Sequence, residues 1–136
     1  MLPEVDAIES VEMLRDGGSL NASFVGATGK QYWLLFSLKS ELGQGGEFVR
    51  LGYERPVVFE RVETRHNATS VEWQSVDQVT LSWAEADSLL VRMRRFVHAE
   101  SDTKWLDAMV QVARTEGALP PGIERVLGVP RRLRSN

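Results

Sequence analysis

Histidine and cysteine, the side chains that most often supply catalytic or metal-binding groups, are scarce in this chain. Its 136 residues contain two histidines, His66 and His98, and no cysteine. A metal site usually takes two or three closely spaced imidazole or carboxylate ligands, and neither histidine has such neighbours in the sequence. His66 could act as a general base if the fold brings a carboxylate to it. A local structural role is the favoured interpretation of both, and we predict neither a metal site nor a cofactor.

The other patterns associated with catalysis are missing or unspecific. No Gly-x-Ser-x-Gly elbow presents a serine nucleophile. The glycines within residues 43–46 precede a strand-like segment, whereas a phosphate-binding loop needs the N-terminus of a following helix. We therefore interpret residues 40–46 as a mobile loop. Paired carboxylates such as Glu60 and Glu63 occur in any chain of this composition, so we predict that the protein is not an enzyme.

Tryptophan and arginine are the residue types best suited to a binding role here. Four tryptophans are many for this length. Such rings are mostly buried, but tryptophan and arginine are also enriched at protein interfaces. Trp33 and Trp73 each face away from the more apolar side of their predicted strand, which makes them candidate interface anchors. The candidate interaction residues are Trp33, Trp73, Arg50, Arg92 and Arg95.

Length and composition indicate a single globular domain over residues 1–128. Hydrophobic residues make up 43% and charged residues 26% of the chain, which is ordinary for a folded protein. No apolar run approaches the roughly 18 residues of a membrane-spanning helix, and the N-terminus lacks the features of a secretion signal. A chain without cysteine fits a reducing compartment. We expect a cytoplasmic protein with no membrane partner.

The C-terminal residues differ in charge from the rest of the chain. The net charge is −3, but residues 123–136 carry four arginines against one glutamate. We predict that residues 129–136 form a basic, flexible tail. Such a tail could contact nucleic acid. The predicted strands carry glutamates that would repel phosphates, so nucleic-acid binding is unfavoured.

Residues 19–81 show the period-two alternation of β-strands. Residues 31–39 are apolar on both faces, with Trp33 and Leu35 opposite Tyr32, and this indicates a strand that is central or covered on both sides. The segment 71–81 either continues through a bulge or divides in two. An antiparallel β-meander of about five strands is predicted, over residues 19–24, 31–39, 47–53, 57–64 and 71–81.

Residues 4–15 allow two interpretations. Hydrophobic residues recur at every third position from Val5 to Leu14, which favours a short amphipathic helix. The competing interpretation is a strand near residues 12–15 that turns at Asp16, since Asp-Gly is a frequent hairpin signal. We favour the helix.

Two α-helices are predicted after the strands, over residues 83–98 and 103–116. Ser82 and Glu85 have the spacing of a capping box, and hydrophobic residues follow at helical spacing. Gly117 is a typical helix stop. Strands followed by helices, without alternation, indicate an α+β fold, with both helices packed on one face of the sheet.

Candidate exposed aromatic residues without a catalytic pattern favour a non-catalytic protein-interaction module. A small neutralising protein, of the immunity or inhibitor type, fits this build, as does a homodimer formed through an edge or a face of the sheet. The alternative is a small enzyme or ligand-binding protein, with His66 and Tyr53 lining a pocket between sheet and helices. Nucleic-acid binding through the basic tail is the second alternative.

Overall fold

The computed structural model describes residues 8–16, 18–26, 29–42, 45, 48–65, 67, 69–119 and 122–128. The strands in this part of the chain are β1 (Ile8–Asp16), β2 (Ser19–Gly26), β3 (Gln31–Phe36), β4 (Leu38–Leu42), β5 (Phe48–Tyr53), β6 (Val57–Arg65) and β7 (Val71–Thr80). The helices are α1 (Trp83–Met93), α2 (Glu100–Arg114) and α3 (Ile123–Leu127), with a 3-10 turn over Arg94–Phe96.

Five of the strands form one antiparallel sheet in the order β1-β2-β3-β6-β7. The remaining two, β4 and β5, pair with each other as a hairpin inserted between β3 and β6. The two main helices follow the strands in the sequence. The predicted α+β class, with a five-stranded antiparallel sheet followed by two helices, is confirmed.

The hydrophobic core lies between the sheet and the two main helices. Side chains of β2 and β3 alternate between buried and half-buried positions, as expected when one face of a sheet packs on a core. We call the face that packs on the helices the inner face and the opposite one the outer face. The largest core residues are Leu20, Phe24, Tyr32, Leu34 and Phe36 from the sheet and Leu89, Leu90, Trp105, Leu106 and Met109 from the helices.

The N-terminus of α1 has the predicted capping box. The Ser82 hydroxyl accepts a hydrogen bond from the Glu85 amide at 3.1 Å, and the Ser82 amide donates to Glu85 Oε1 at 3.0 Å. These bonds satisfy amides that the helix leaves unpaired. The bond from the Ser82 amide also lowers the pKa of the Glu85 carboxyl group by stabilising its charged form. The helix ends at Met93, earlier than predicted, whereas α2 begins at Glu100, earlier than the predicted residue 103.

The predicted helix over residues 4–15 is wrong in the part that the structure describes. Residues 8–16 form β1, which pairs antiparallel with β2, and residues 4–7 lie outside the described part. Leu14 is 65% exposed, so the three-residue spacing does not mark a buried face. The residues of β1 that pack on the core include Val11 and Met13, which have the two-residue period of a strand.

The hairpin of β4 and β5 differs from the predicted meander. The predicted strand over residues 31–39 is interrupted at Ser37, and residues 40–42, expected in a mobile loop, belong to β4. Most of residues 43–46 lie outside the described part. Because β5 pairs with β4 and not with β3 or β6, it leaves the main sheet, and β1 supplies the fifth strand instead.

The last strand is continuous, and this decides between the two interpretations of residues 71–81. The pairing of β6 with β7 shifts register between Val58 and Glu60, whose partners are Val79 and Val76. One residue of β6 thus faces two of β7, which is a β-bulge. Asp77, in the bulge, has a left-handed backbone with φ of 52°.

Two glycines allow β5 to approach the C-terminal end of α2. The Tyr53 amide donates to the Gly117 carbonyl at 2.8 Å. A Cβ built on Gly117 would lie 2.5 Å from the Tyr53 carbonyl oxygen and 2.8 Å from the Trp83 ring, and Gly117 has φ of +89°. A Cβ on Gly52, where φ is +100°, would meet the Gly117 carbonyl oxygen. The predicted stop at Gly117 therefore also joins the hairpin to the helical layer.

The indole of Trp105 attaches α3 to α2. Trp105 is 1% exposed, and its Nε1 donates to the Leu127 carbonyl oxygen at 3.0 Å. The Arg15 guanidinium lies 5.9 Å from the centroid of the Trp105 ring. Arg15 also forms an ion pair with Asp102 at 3.3 Å. One core tryptophan thus contacts the first strand and the last helix.

Candidate interaction surface

The outer face of the sheet carries four large hydrophobic side chains on its neighbouring strands β3 and β6. Trp33 pairs with Phe59, and Leu35 pairs with Val57, so all four share one face. They are half-buried, and none belongs to the core cluster or to the residues packed against it. We call them the outer patch. Both main helices lie on the inner face, and no helix in the described part covers the outer patch.

Two charged side chains flank the outer patch on opposite sides. The Arg61 guanidinium lies 4.9 Å from the centroid of the Trp33 ring, a cation–π contact. Glu12 is exposed and pairs with Ser23, which pairs with Trp33. The acidic group therefore lies two strands from Trp33 in the direction of β1, and the basic group lies on β6, on the other side.

Two open depressions adjoin the outer patch. The first, of about 320 Å³, is lined by Trp33 and by residues of β1 and β2 that include Leu14 and Asn21. The second, of about 510 Å³, is lined by Gln31 among others. Glu12, Ser23 and Arg61 line both depressions. Both depressions are therefore lined by polar and apolar side chains together.

The structure separates the predicted interaction residues. Trp33 lies on the outer face, whereas Arg92 lies in α1 and Arg95 in the 3-10 turn that follows. Both arginines are therefore in the helical layer, on the other side of the sheet. Between them, Arg94 pairs with Asp107 of α2 at 2.6 Å. The sheet therefore does not bring Trp33 together with the arginines of the first helix.

The other predicted positions lie in strands or outside the described part. Trp73 lies in β7 opposite Glu63, and Arg50 lies in β5 opposite Ser40. His66 and residues 129–136 lie outside the described part, so their predicted roles stay predictions.

Tyr53, predicted as a pocket residue, lies in the core. It is 5% exposed, its ring packs edge-on against Phe36, and its hydroxyl donates to the carbonyl oxygen of Gly18. Burial raises the pKa of the Tyr53 phenol above its ordinary value. This geometry gives Tyr53 a structural role, since it links the β5 end of the hairpin to the turn between β1 and β2.

Tyr53→Phe is expected to lower the free energy of unfolding by about 1–3 kcal/mol, because the buried Gly18 carbonyl loses its donor. The phenol contributes its full stability below its unfolded-state pKa of about 10, and that stability is lost as the pH rises towards the higher folded-state value. Urea denaturation between about pH 8 and 11 should show a steeper alkaline loss in the wild type than in the variant. Parallel pH profiles would show that the hydroxyl does not stabilise the fold.

The described residues contain few other groups that suggest chemistry. No group of three or more His, Cys, Asp and Glu side chains among them could hold a metal ion. Every buried side-chain nitrogen or oxygen atom in this part has a hydrogen-bond partner. No helix of the described part is long and apolar enough to cross a membrane. The outer patch is the feature of this surface that most needs a functional explanation.

Sequence reasoning missed three residues of this surface: Val57, Phe59 and Arg61. Their two-residue spacing places them on one face of a strand, which was a usable signal. Their position beside Trp33 depends on the pairing of β3 with β6. That pairing is not evident from the sequence, because another strand-forming segment, residues 47–53, lies between the two.

Comparisons with protein-family models, with curated proteins and with solved structures gave no significant match.

Proposed function

We propose that this chain is a non-catalytic protein-interaction module that docks through the outer face of its sheet. The observation that carries the proposal is the outer patch, four large hydrophobic side chains on a face that no described helix covers. An antiparallel sheet with one solvated face normally places polar residues on that face. Contiguous apolar patches with polar surroundings are typical of protein-binding sites.

The surroundings of the outer patch have the composition of an interface rim. Asn21 and Ser23 border it on β2, and they pair with Leu35 and Trp33. The stacked Arg61 adds a guanidinium to the half-buried ring of Trp33, and tryptophan and arginine are among the residues that most often dominate binding energy. This arrangement, with an apolar centre and a polar margin, is the usual anatomy of a docking surface.

The absence of cysteine from the chain is compatible with a cytoplasmic location. The chain contains no cysteine and so needs no oxidising environment to fold. We propose that it acts in the cytoplasm.

The proposal is tested by comparing the binding partners captured by the wild type with those captured by a variant changed at one residue of the outer patch. Trp33→Thr keeps a strand-forming residue in β3 but removes the central aromatic ring. Tagged wild type and variant are used to capture proteins from the native host, with a second, differently tagged copy of the chain included. Each recovered partner is then purified, and its affinity is measured. We expect Trp33→Thr to weaken binding by about 30-fold or more, the effect of losing a hot-spot tryptophan.

Val62→Thr is the matched control. Val62 also lies in the sheet and is 40% exposed, but it pairs with Gln74 in the inner-face register. Val62→Thr should therefore leave the affinity for each partner unchanged. Equal binding by the wild type and Trp33→Thr, for every partner including the second copy, would contradict the proposed function. Circular dichroism confirms that both variants are folded.

A further inference from the structure

The order of side chains across the outer face shows which partner it fits. From β1 to β6 the register runs Glu12, Ser23, Trp33 and Phe59, and Arg61 lies two residues beyond Phe59. β1 and β6 are three strand spacings apart in the sheet, which is about 14 Å at about 4.8 Å per spacing. Along this line the face has an acidic side chain on β1 and a basic one on β6, with apolar side chains between them. The exposed Glu63 follows Arg61 on the same face of β6.

We propose that the occupant of the outer face is a second copy of this chain. The inference rests on the proposed function and names its partner. A half-turn about an axis parallel to the strands, placed between β2 and β3, brings Glu12 of each copy towards Arg61 of the other. The same operation places Trp33 of each copy over Ser23 of the other. An interface of this kind is self-complementary, as twofold symmetry requires.

Charge and shape both favour this arrangement. The two Glu12–Arg61 contacts join opposite charges at the margins of an apolar centre, which fixes the orientation of the two copies. The depression of about 320 Å³ beside Trp33 is lined by Ser23 and Leu14, and it lies where the indole of the other copy would enter. The cation–π contact already holds Arg61 on the outer face, so little side-chain freedom is lost on association.

The size of the face predicts a weak dimer. With the axis between β2 and β3, the strands that overlap are β1, β2, β3 and β6. At about six residues each, they make a face of roughly 19 Å by 20 Å. Two such faces together bury roughly 800 Å², in the range of weak, transient interfaces. We expect a dissociation constant of about 10–100 μM, so that the dimer forms and dissociates with concentration.

Two charge reversals, studied apart and mixed, test the proposal on the full chain. Sedimentation of the wild type should rise from the 15.3 kDa monomer to twice that mass over about 1–500 μM. Glu12→Arg and Arg61→Glu each place like charges at both margins, so each alone should dimerise at least about tenfold more weakly. An equimolar mixture of the two variants restores opposite charges at both margins and should dimerise again.

Glu100→Arg is the control, because it makes the same charge change in α2, where the Glu100 side chain is 83% exposed. It should dimerise like the wild type. A pair within one copy would not be restored by mixing, so a mixture that stays monomeric overturns the proposal. Dimers that persist in both single variants overturn it too. If Arg61→Glu is unfolded by circular dichroism, the comparison of Glu12→Arg with Glu100→Arg decides.

The failure of this inference is distinguishable from failure of the proposed function. If the wild type remains monomeric up to about 500 μM, the inference that a second copy occupies the outer face is wrong. The capture experiment with Trp33→Thr then still decides whether a different protein docks on the outer face.

Discussion

Gly117→Ala is expected to lower the free energy of unfolding by about 2–5 kcal/mol, a large part of the 5–15 kcal/mol typical of a domain. Two costs add. A left-handed backbone costs a residue with a Cβ about 1–2 kcal/mol, and Gly117 has φ of +89°. The new Cβ would also lie 2.5 Å from the Tyr53 carbonyl oxygen, and relief of such overpacking costs about 1–3 kcal/mol. Urea denaturation followed by circular dichroism measures the change.

Gly29→Ala separates the two costs. Gly29 has a similar φ of +82°, but a Cβ there meets no atom within 4 Å. Gly29→Ala should therefore lower the free energy of unfolding by only about 1–2 kcal/mol, the contribution of the left-handed backbone. Equal losses in the two variants would show that β5 and the end of α2 can move apart without cost, contrary to the close approach at Gly117.

Trp105→Ala is expected to lower the free energy of unfolding by about 3–5 kcal/mol, the range for removing a large aromatic side chain from a core. Trp105 is 1% exposed, and its Nε1 donor to the Leu127 carbonyl is lost with the ring. Because that bond attaches α3 to α2, amide hydrogen exchange in α3 should increase more than in α1. The same denaturation assay gives the total loss.

Trp33→Ala is the matched control for Trp105→Ala. The substitution is the same, but Trp33 is half-buried on the outer face, so the space that it leaves is open to solvent. We expect a loss of about 1 kcal/mol, because no closed cavity forms. A loss as large as that of Trp105→Ala would mean that Trp33 belongs to the folding core, and the binding experiments with Trp33 variants would then lose their basis.

The helices were the most predictable part of the fold, because their signals are local. The capping box at Ser82 and Glu85 involves residues close in sequence, and the structure confirms it. The second helix ends at Arg114, before the predicted residue 116, and Gly117 closes the turn that follows, with its amide donating to the Val112 carbonyl at 2.9 Å. Helix lengths were less accurate. The segment after Met93 tightens into a 3-10 turn, which the hydrophobic spacing did not distinguish from a continued helix.

The strands were predicted by type but not by partner. Strand partners are set by contacts between distant residues, and alternation alone carries no information on them. Residues 47–53 alternate as a strand but pair with β4 outside the main sheet. β1 carries a hydrophobic spacing that also fits a helix, and it becomes a strand through its pairing with β2.

The candidate surface was predictable only in part for the same reason. Trp33 was placed opposite the more apolar side of its strand from alternation, and the structure places it on the outer face. The strand was predicted to be central or covered on both sides. It is central, and the described helices cover its inner face alone. The neighbours Phe59 and Arg61 follow from strand pairing, which a single sequence does not reveal.

The bulge at Asp77 lies in an edge strand and disfavours the addition of another strand there. β1 and β7 are the two edges of the sheet, and unpaired edge strands are templates for uncontrolled strand addition. In β7 the left-handed Asp77 disrupts the ladder, and Glu72 adds charge. Glu9 and Glu12 are exposed on β1. Both edges of the sheet are therefore unsuited to strand addition, which disfavours growth of the sheet into a fibril.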